Sequence, residues 1–582
     1  MCNRTCDITN REKIALEALF EKEEREYKGI DGKSPYRDRQ IFRFIKDASS
    51  RARLMDDITF AADWFEHPNV MGRSPRGEAD FQAIRLVPLY FECYDALCDK
   101  AKEALDRFFL KRDFFSFYES ENHALMNRVS RYLASQFYLD KDVLFEQFDP
   151  WTPKELYGKD GSYLHKFLDF RVKRGWGEFD SYGYSTEIIM ILNVLYAYTK
   201  DEKRKKKTGM AMDIILLDMI CDSKNGLYGG AHGRIYPASA LDTKNSGMFH
   251  IYCYYFGERY NISEKEISVP YSFLLSGYRP GEIVYDIEKN RTYPYINRER
   301  KHLHSCHAWH AANICTATLD ALAPHAINKQ TYVGERYLLG GINRQDMYPE
   351  NIPDKWYAHH QQHEWELTLP GGTNHKIFSH QPSDPGYHKQ HNRWTGDLGC
   401  CCSTHYTNEN TAVSLYNISN PEKYDYINAY VPFEIFDEVV IEDKYIFLKY
   451  TGLYISMYFS EGYRVNKEDE YTDKELISSG RQHAVILRVE HEEKYSSMQA
   501  FMEDISSKQV VFDKENMTVE FDSVFVSYNN NGENGKTNVY PYEYLYDSPY
   551  MKSVWNSGVI ELNGKDIQCV YDFNTVTVNE KK

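Results

Sequence analysis

The sequence predicts a multidomain α+β chain in which an N-terminal incomplete α/α toroid is followed by a large antiparallel β-sandwich. Three observations carry this. Residues 11 to about 275 read as one helical period after another. Near residue 276 the segment GYRPGEIVYDIEKNRTYPYINRER brings in Pro, Gly and alternating patterns, and long helical periods stop. From Gln330 onward, short β-type runs are separated by turn clusters, the pattern of a sandwich. The division expected is 1–275 for the toroid, 276–330 for a linker and interface segment, and 331–582 for the sandwich. A chain of 582 residues is too long for one ordinary core, which agrees with more than one domain.

The helical elements follow in order. Arg11 to Tyr27 is charged and amphipathic, and Asp38 to Glu66 carries Ile41, Phe42, Phe44, Ile45, Leu54, Met55 and Ile58 at helical steps. Leu86 to Phe109 follows. Then comes the helix from Glu121, where Leu125, Met126, Val129, Tyr132, Leu133 and Phe137 make one buried face. Tyr163 to Arg174, Thr186 to Tyr198, Lys206 to Cys221 and Gly247 to Phe256 complete the series. Ile188 to Leu195 is apolar nearly all round and is expected to be enclosed by other helices. The run Lys203 to Lys207 reads as a solvated helix start. Strands are expected at Tyr337–Leu339, Glu364–Leu369, Ala412–Tyr416, Val439–Tyr450, Leu453–Phe459, Ala484–Val489, Met517–Val526 and Val559–Leu562.

Bulk properties exclude several classes. Hydrophobic residues are 42% and charged residues 27%, a globular composition. A net charge of −16 argues against a nucleic-acid partner, which needs a basic face. No stretch approaches 18 apolar residues and MCNRTCDITNREK has no apolar core, so neither a membrane span nor a signal peptide is expected. Twelve scattered cysteines without a CxxC pair, including the trio Cys400, Cys401 and Cys402, read as reduced thiols and a cytoplasmic location. The 48 Tyr, 31 Phe and 8 Trp suit large cores and also saccharide binding, where flat sugar faces lie on rings.

Three segments concentrate chemistry. The first turn at Glu121, Asn122 and His123 can aim an acid, an amide and an imidazole at a pocket above a helix N-terminus. RGWGEFDSYGYSTE, from Arg174 to Glu187, sets Glu178, Asp180, Tyr182, Tyr184 and Glu187 among three glycines, beside Trp176. GGAHGRIYP, from Gly229 to Pro237, sets His232, Arg234 and Tyr236 among three more. The catalytic candidates are Asn122, His123, Glu178, Tyr184, His232, Arg234 and Tyr236. Candidate sugar contacts are Glu121, Trp176, Tyr182 and Trp309.

This set suits β-elimination from a uronic acid. An amide or Arg binds the carboxylate and stabilises the enolate-like charge that grows after C5 deprotonation. A His or Tyr takes the proton, and a Tyr or His protonates the leaving oxygen. Glu119, Glu121, Glu178, Asp180 and Glu187 also offer an acid and a base for an inverting glycoside hydrolase, with Glu178 as one of the pair. A non-catalytic glycan-binding protein is the third reading, in which the segments do not converge.

At these residues the chain resembles bacterial toroid-plus-sandwich proteins grouped with heparinase II/III-like polysaccharide lyases. The resemblance rests on ENHALM at 121–126, GEFDSYGY at 177–184 and GAHGRIY at 230–236. HEWELTLPGG at 363–372 and WTG at 394–396 add to it. It implies a cleft acting on acidic glycans, with Asn122 as the carboxylate-neutralising amide, His123 or His232 as the base, and Tyr184 or Tyr236 as the acid. No cofactor is required by this chemistry. Some such lyases hold a structural zinc, and thirteen of the 20 histidines here fall between His302 and His405, where His380, His391 and His405 are candidate ligands. The absent signal peptide and the acidic charge depart from secreted lyases and favour short oligosaccharides. Oligomeric state is open.

Overall fold

The computed structural model describes residues 2–28, 37–63, 79–111, 121–146, 150–302, 326–346, 362–382, 393–394, 403–418, 424–528 and 543–581. Helices come first and antiparallel sheets follow, which is the α+β order expected. Among the described residues, no helix is long and apolar enough to cross a membrane.

Local chemistry explains where the helices differ from expectation. The period from Asp38 is broken at Asp47, whose carboxylate accepts from Ser49 N and starts a short 3-10 turn between Asp38–Lys46 and Arg51–Ala62. Pro88 begins its own short helix, Pro88–Glu92, so Leu86 to Phe109 is three pieces and not one. Pro153–Arg174 starts ten residues before the apolar period does. Thr152 and Glu155 form a capping box there, with Pro153 at the first helical position, a device that contributes about 1 kcal/mol. Tyr184–Tyr198 and Glu202–Cys221 pack as an antiparallel pair, and Gly247–Phe256 keeps the bounds the sequence predicts. The basic run is solvated only in part, since Lys207 is buried against Asp169.

A 13-stranded antiparallel sheet forms the middle layer among the described residues. Its strand faces alternate between two cores. Leu338, Phe378 and Tyr430 join the helical core, whereas Leu339, Ile377 and Ala429 face a 6-stranded sheet through Ile455, Met457 and Leu487. The segment 276–330, expected as linker and interface, holds helix Glu282–Asn290 and two paired central strands, Tyr295–His302 and Ala326–Val333. The C-terminal strands return to this sheet, where Tyr546 lies opposite Glu299. Val439–Tyr450 and Met517–Val526, expected as single strands, are each a tight hairpin. Asp213 ties the helices to the last strands, accepting from Tyr278 Oη at 2.6 Å, Gly281 N at 3.0 Å and Tyr571 Oη at 2.7 Å.

Candidate active site

The three chemistry-bearing segments meet where the helices abut the middle sheet. Helix Glu121–Phe137 points its first turn at the loop that joins Pro153–Arg174 to Tyr184–Tyr198. Glu121 is the brace between them: its carboxylate accepts from Gly177 N at 3.2 Å and Glu178 N at 3.1 Å, and pairs with Arg171 Nη2 at 2.8 Å. Strand His232–Arg234 grips the same loop from the other side, with Gly233 N donating to the Phe179 carbonyl. Here the glycine is obligatory, because a Cβ at 233 would lie 2.8 Å from Glu178 C and Phe179 N.

On the outer side of this loop lies a group of polar side chains, in which Asn122 and Glu178 are buried and His123, Tyr184, Arg234 and Tyr236 half-buried. Tyr184 and Tyr236 are joined hydroxyl to hydroxyl at 2.7 Å. The Arg234 guanidinium stacks over both rings, 4.8 Å from one centroid and 5.6 Å from the other. It also reaches within 3.6 Å of Glu178. Asn122 Nδ2 donates to Glu187 Oε2 at 2.6 Å, and His123 Nδ1 is held by Asp80.

Electrostatics link these groups. Glu178 is 1% exposed, and neither carboxylate oxygen has a hydrogen-bond partner among the described residues. Burial pushes its pKa up to about 8; Arg234 opposes this, while Glu121 and Glu187 add to it. Glu178 is therefore mostly a neutral acid at pH 7. Burial likewise raises Glu187, against the Asn122 hydrogen bond. For His123 burial favours the neutral ring, but Asp80, Glu187 and Glu178 outweigh it and the pKa ends above its ordinary value. Burial, with Glu178 next, holds the Tyr184 phenol far above the usual range, so it stays protonated.

Behind the loop the chemistry is different. Asp180, in the left-handed region at φ 51°, places its carboxylate between Lys301 Nζ, at 3.2 Å, and Lys329 Nζ. Lys329 also contacts Asp222 and, at 2.9 Å, Glu299; Lys301 also contacts Asp218. Burial raises Asp218 and Asp222, whereas for Asp180 and Glu299 the two ammonium groups overcome burial and hold the carboxylates low. Two ammonium groups thus face two ionised carboxylates and two that favour their protons, a balanced buried set.

Asp180, Asp222 and Glu299 are also the group of acids among the described residues that could converge on a metal ion. The Lys329 ammonium already contacts all three, so a cation is supplied by the chain itself. For the zinc reading, His380 Nε2 meets His363 Nδ1 at 3.2 Å, while His405 is held by Ser414 and Glu364, both at 2.8 Å. No His-containing trio converges there among the described residues, and His391 and the Cys400–Cys402 trio lie outside them.

Six of the seven catalytic candidates therefore belong to the outer group: Asn122, His123, Glu178, Tyr184, Arg234 and Tyr236. His232 does not. It is 0% exposed, its Nδ1 lies 2.9 Å from the Asp180 carbonyl, and its ring packs on Tyr182 at 4.3 Å. The strand ladder is irregular between His232 and Arg234, which sends the two side chains to opposite sides of the loop. Burial, with His363 next, lowers the His232 pKa to about 3.

Three expected sugar contacts are enclosed instead. Glu121 is spent on the brace, Trp176 packs in the helical core, and Tyr182 donates to the Tyr228 carbonyl and accepts from Lys376 at 3.2 Å. Trp309 and Glu119 lie outside the described residues. Asp80, Lys301 and Lys329 were not singled out by the sequence. They come from 43, 121 and 149 residues away from their partners, and no local spacing announces such pairings.

No protein-family model matches the sequence, and no curated protein does. Among solved structures the chain is similar to a chondroitinase AC lyase studied in complexes with oligosaccharides. That match has a TM-score of 0.39 and 10% identity, covering 98% of this chain and 95% of that one. A mutant of the heparan sulfate lyase HepC from Pedobacter heparinus matches with a TM-score of 0.17 and 10% identity, over 82% and 81%. Likeness at that level carries no functional argument, so the function is read from the geometry of the site.

Proposed function

We propose that the chain is a polysaccharide or oligosaccharide lyase that cleaves uronate-containing glycans by β-elimination. The observation that carries this is the Arg234 guanidinium, stacked on two hydrogen-bonded phenols and 3.6 Å from a buried, mostly neutral Glu178. Such a site accepts an anion although the chain as a whole is acidic. A uronate carboxylate gains a cation from Arg234, an N–H from Asn122 and an O–H from protonated Glu178.

The Asp80–His123 pair supplies the base. With Nδ1–H directed at Asp80, Nε2 takes the C5 proton. The electron pair forms the C4–C5 double bond as the C4–O bond breaks, and the leaving oxygen takes a proton from Tyr184, which Tyr236 can replenish through their shared hydrogen bond. A phenol with a raised pKa stays loaded for this step.

One observation favours a second reading, an inverting hydrolase: Glu178, with a pKa of about 8, also has the character of a general acid, and Glu187 is the nearby acid to act as base. Burial raises Glu187, and, against burial, Asp80, Glu187 and Glu178 raise His123, so each candidate base holds its proton more firmly than usual and these shifts do not separate the two readings. Incubation with uronate oligosaccharides separates the readings. Lysis gives a near-ultraviolet absorbance from the conjugated double bond; new reducing ends without it reject the lyase reading. Binding without either product leaves a glycan-binding protein.

A further inference from the structure

We infer that Lys301 and Lys329 are positioning residues, which hold the Glu178 loop in register from the middle sheet by way of Asp180. The inference rests on the lyase reading for its kinetic consequences and on geometry for its substance.

The two lysines stand on neighbouring strands, Tyr295–His302 and Ala326–Val333, whose antiparallel pairing sets Glu299 opposite Lys329. Both ammonium groups therefore start from a rigid frame with several strands on either side. They converge on the carboxylate of Asp180, two residues beyond Glu178. Lys301 takes a second hold: a Cβ at Gly175, where φ is +76°, would meet the Lys301 stem at 2.7 Å, so the beginning of the loop lies directly on it. His232 fixes the Asp180 carbonyl at 2.9 Å, and Glu121 fixes Glu178 N at 3.1 Å. Between these anchors the backbone at Glu178 has little freedom.

Burial in this set is nearly complete. Asp180, Lys301, Lys329, Asp222 and Glu299 are each 3% exposed or less, and their charged groups are engaged with one another and not with a ligand. Glu178 binds the substrate carboxylate and does not itself react, so a displaced loop costs at most what that contact contributes, about tenfold in kcat/KM.

The test uses the full chain in three variants. Asp180→Asn removes the charge but keeps a side chain that tolerates positive φ, and it leaves both lysines their other carboxylates. Lys329→Met with Glu299→Gln breaks the set from the sheet side without stranding a charge. Asp213→Asn is the control, an equally buried tether between helices and sheet that does not touch the loop.

Two readouts are taken on folded protein: kcat and KM from the double-bond absorbance, and the titration midpoint of the Glu178 carboxyl by 13C NMR, its signal identified by loss in Glu178→Gln. The expected result is a kcat/KM lower by up to about tenfold in the first two variants, the loss expected of Glu178→Gln itself. The Glu178 midpoint moves with it. Asp213→Asn loses thermal stability only. Unchanged kcat/KM and midpoint in folded Asp180→Asn and in the double variant overturn the inference. So does failure of both to fold while Asp213→Asn folds, since the set would then serve the fold alone. If the wild type forms no double bond from any uronate glycan, the lyase reading fails, and the Glu178 midpoint still decides the positioning.

Discussion

Glu178 and Asp180 stand two residues apart on one loop, both buried, and the protein treats them in opposite ways. Asp180 is surrounded by ammonium groups and its proton is driven off. Glu178 faces one guanidinium at 3.6 Å, and burial wins, so its proton is kept. In the inner set each ammonium group meets carboxylates of both the loop and its surroundings, so the charges answer one another within the chain. The outer group leaves both Glu178 oxygens without a hydrogen-bond partner among the described residues, and that deficit is one an incoming ligand can make good. Density of ionisable groups does not separate a site from a brace; the mutual pairing of charges does.

The largest effect should come from the cation of the outer group. Arg234→Met keeps the stem over Tyr184 and Tyr236 but removes the charge, and kcat/KM for a uronate substrate should fall by about 1000-fold. Unchanged kcat/KM on the uronate substrate would break the comparison, because the outer group would then not be receiving an anion. Next comes the phenol pair. Tyr184→Phe should cost about 100-fold or more in kcat with little change in KM, as expected for a lost proton donor. Tyr236→Phe should cost less, since Tyr184 keeps its own proton. The reverse order would assign the acid to Tyr236.

Why the loop sorts its acids this way was only partly legible from residues 174–187. The glycines, the tyrosines and the apolar period after Tyr184 mark a loop entering a buried helix, and the structure has that. The segment 229–237 reads as a turn that lets backbone approach a ligand, whereas in the structure it holds a strand whose Gly233 meets the backbone of Glu178 and Phe179. His232 misled for a physical reason. In sequence it is as prominent as Arg234, yet a ladder irregularity between them turns it inward onto Tyr182. The lysines could not be read at all. Lys301 and Lys329 lie in or beside a stretch that reads as linker, and their partners are supplied by topology. Helix ends failed where a side chain competes with the backbone, as at Asp47, or where Pro88 interrupts, and core periodicity is blind to both.

Glu178→Gln sharpens the comparison through pH. If Glu178 gives a hydrogen bond to the uronate, Gln keeps a donor, and the loss in kcat/KM should be about tenfold at pH 7; the hydrolase reading demands loss of all turnover. The wild-type alkaline limb near pH 8, where Glu178 ionises and repels the substrate, should vanish in the variant. Stability gives an independent check. The folded pKa of about 8 lies above the ordinary 4.5, so the folded state holds a proton that the unfolded state has lost. This contribution is neutral below pH 4.5 and becomes a growing penalty as pH rises to about 8, on the order of 4 kcal/mol. Glu178→Gln should therefore raise the melting temperature at pH 9 and leave it nearly unchanged at pH 4.5.

The smallest effect on rate is expected at His232, and its sign with pH runs the other way. Its folded pKa of about 3 lies below the ordinary 6.5, so the unfolded chain takes up a proton that the folded one refuses. Stability is therefore full above pH 6.5 and is lost as pH falls toward 3; His380, lowered to about 3 by the same burial, acts in parallel. His232→Gln gives up the contact with the Asp180 carbonyl, a loss of about 1 kcal/mol at pH 7, but it also removes one of these acid penalties. The melting-temperature gap between variant and wild type should narrow on acidification and close near pH 6, while kcat at pH 7 falls by about tenfold or less through the loosened Asp180. A loss as deep as that of Arg234→Met would move His232 from the brace into the reacting group and erase the distinction between the two sides of the loop.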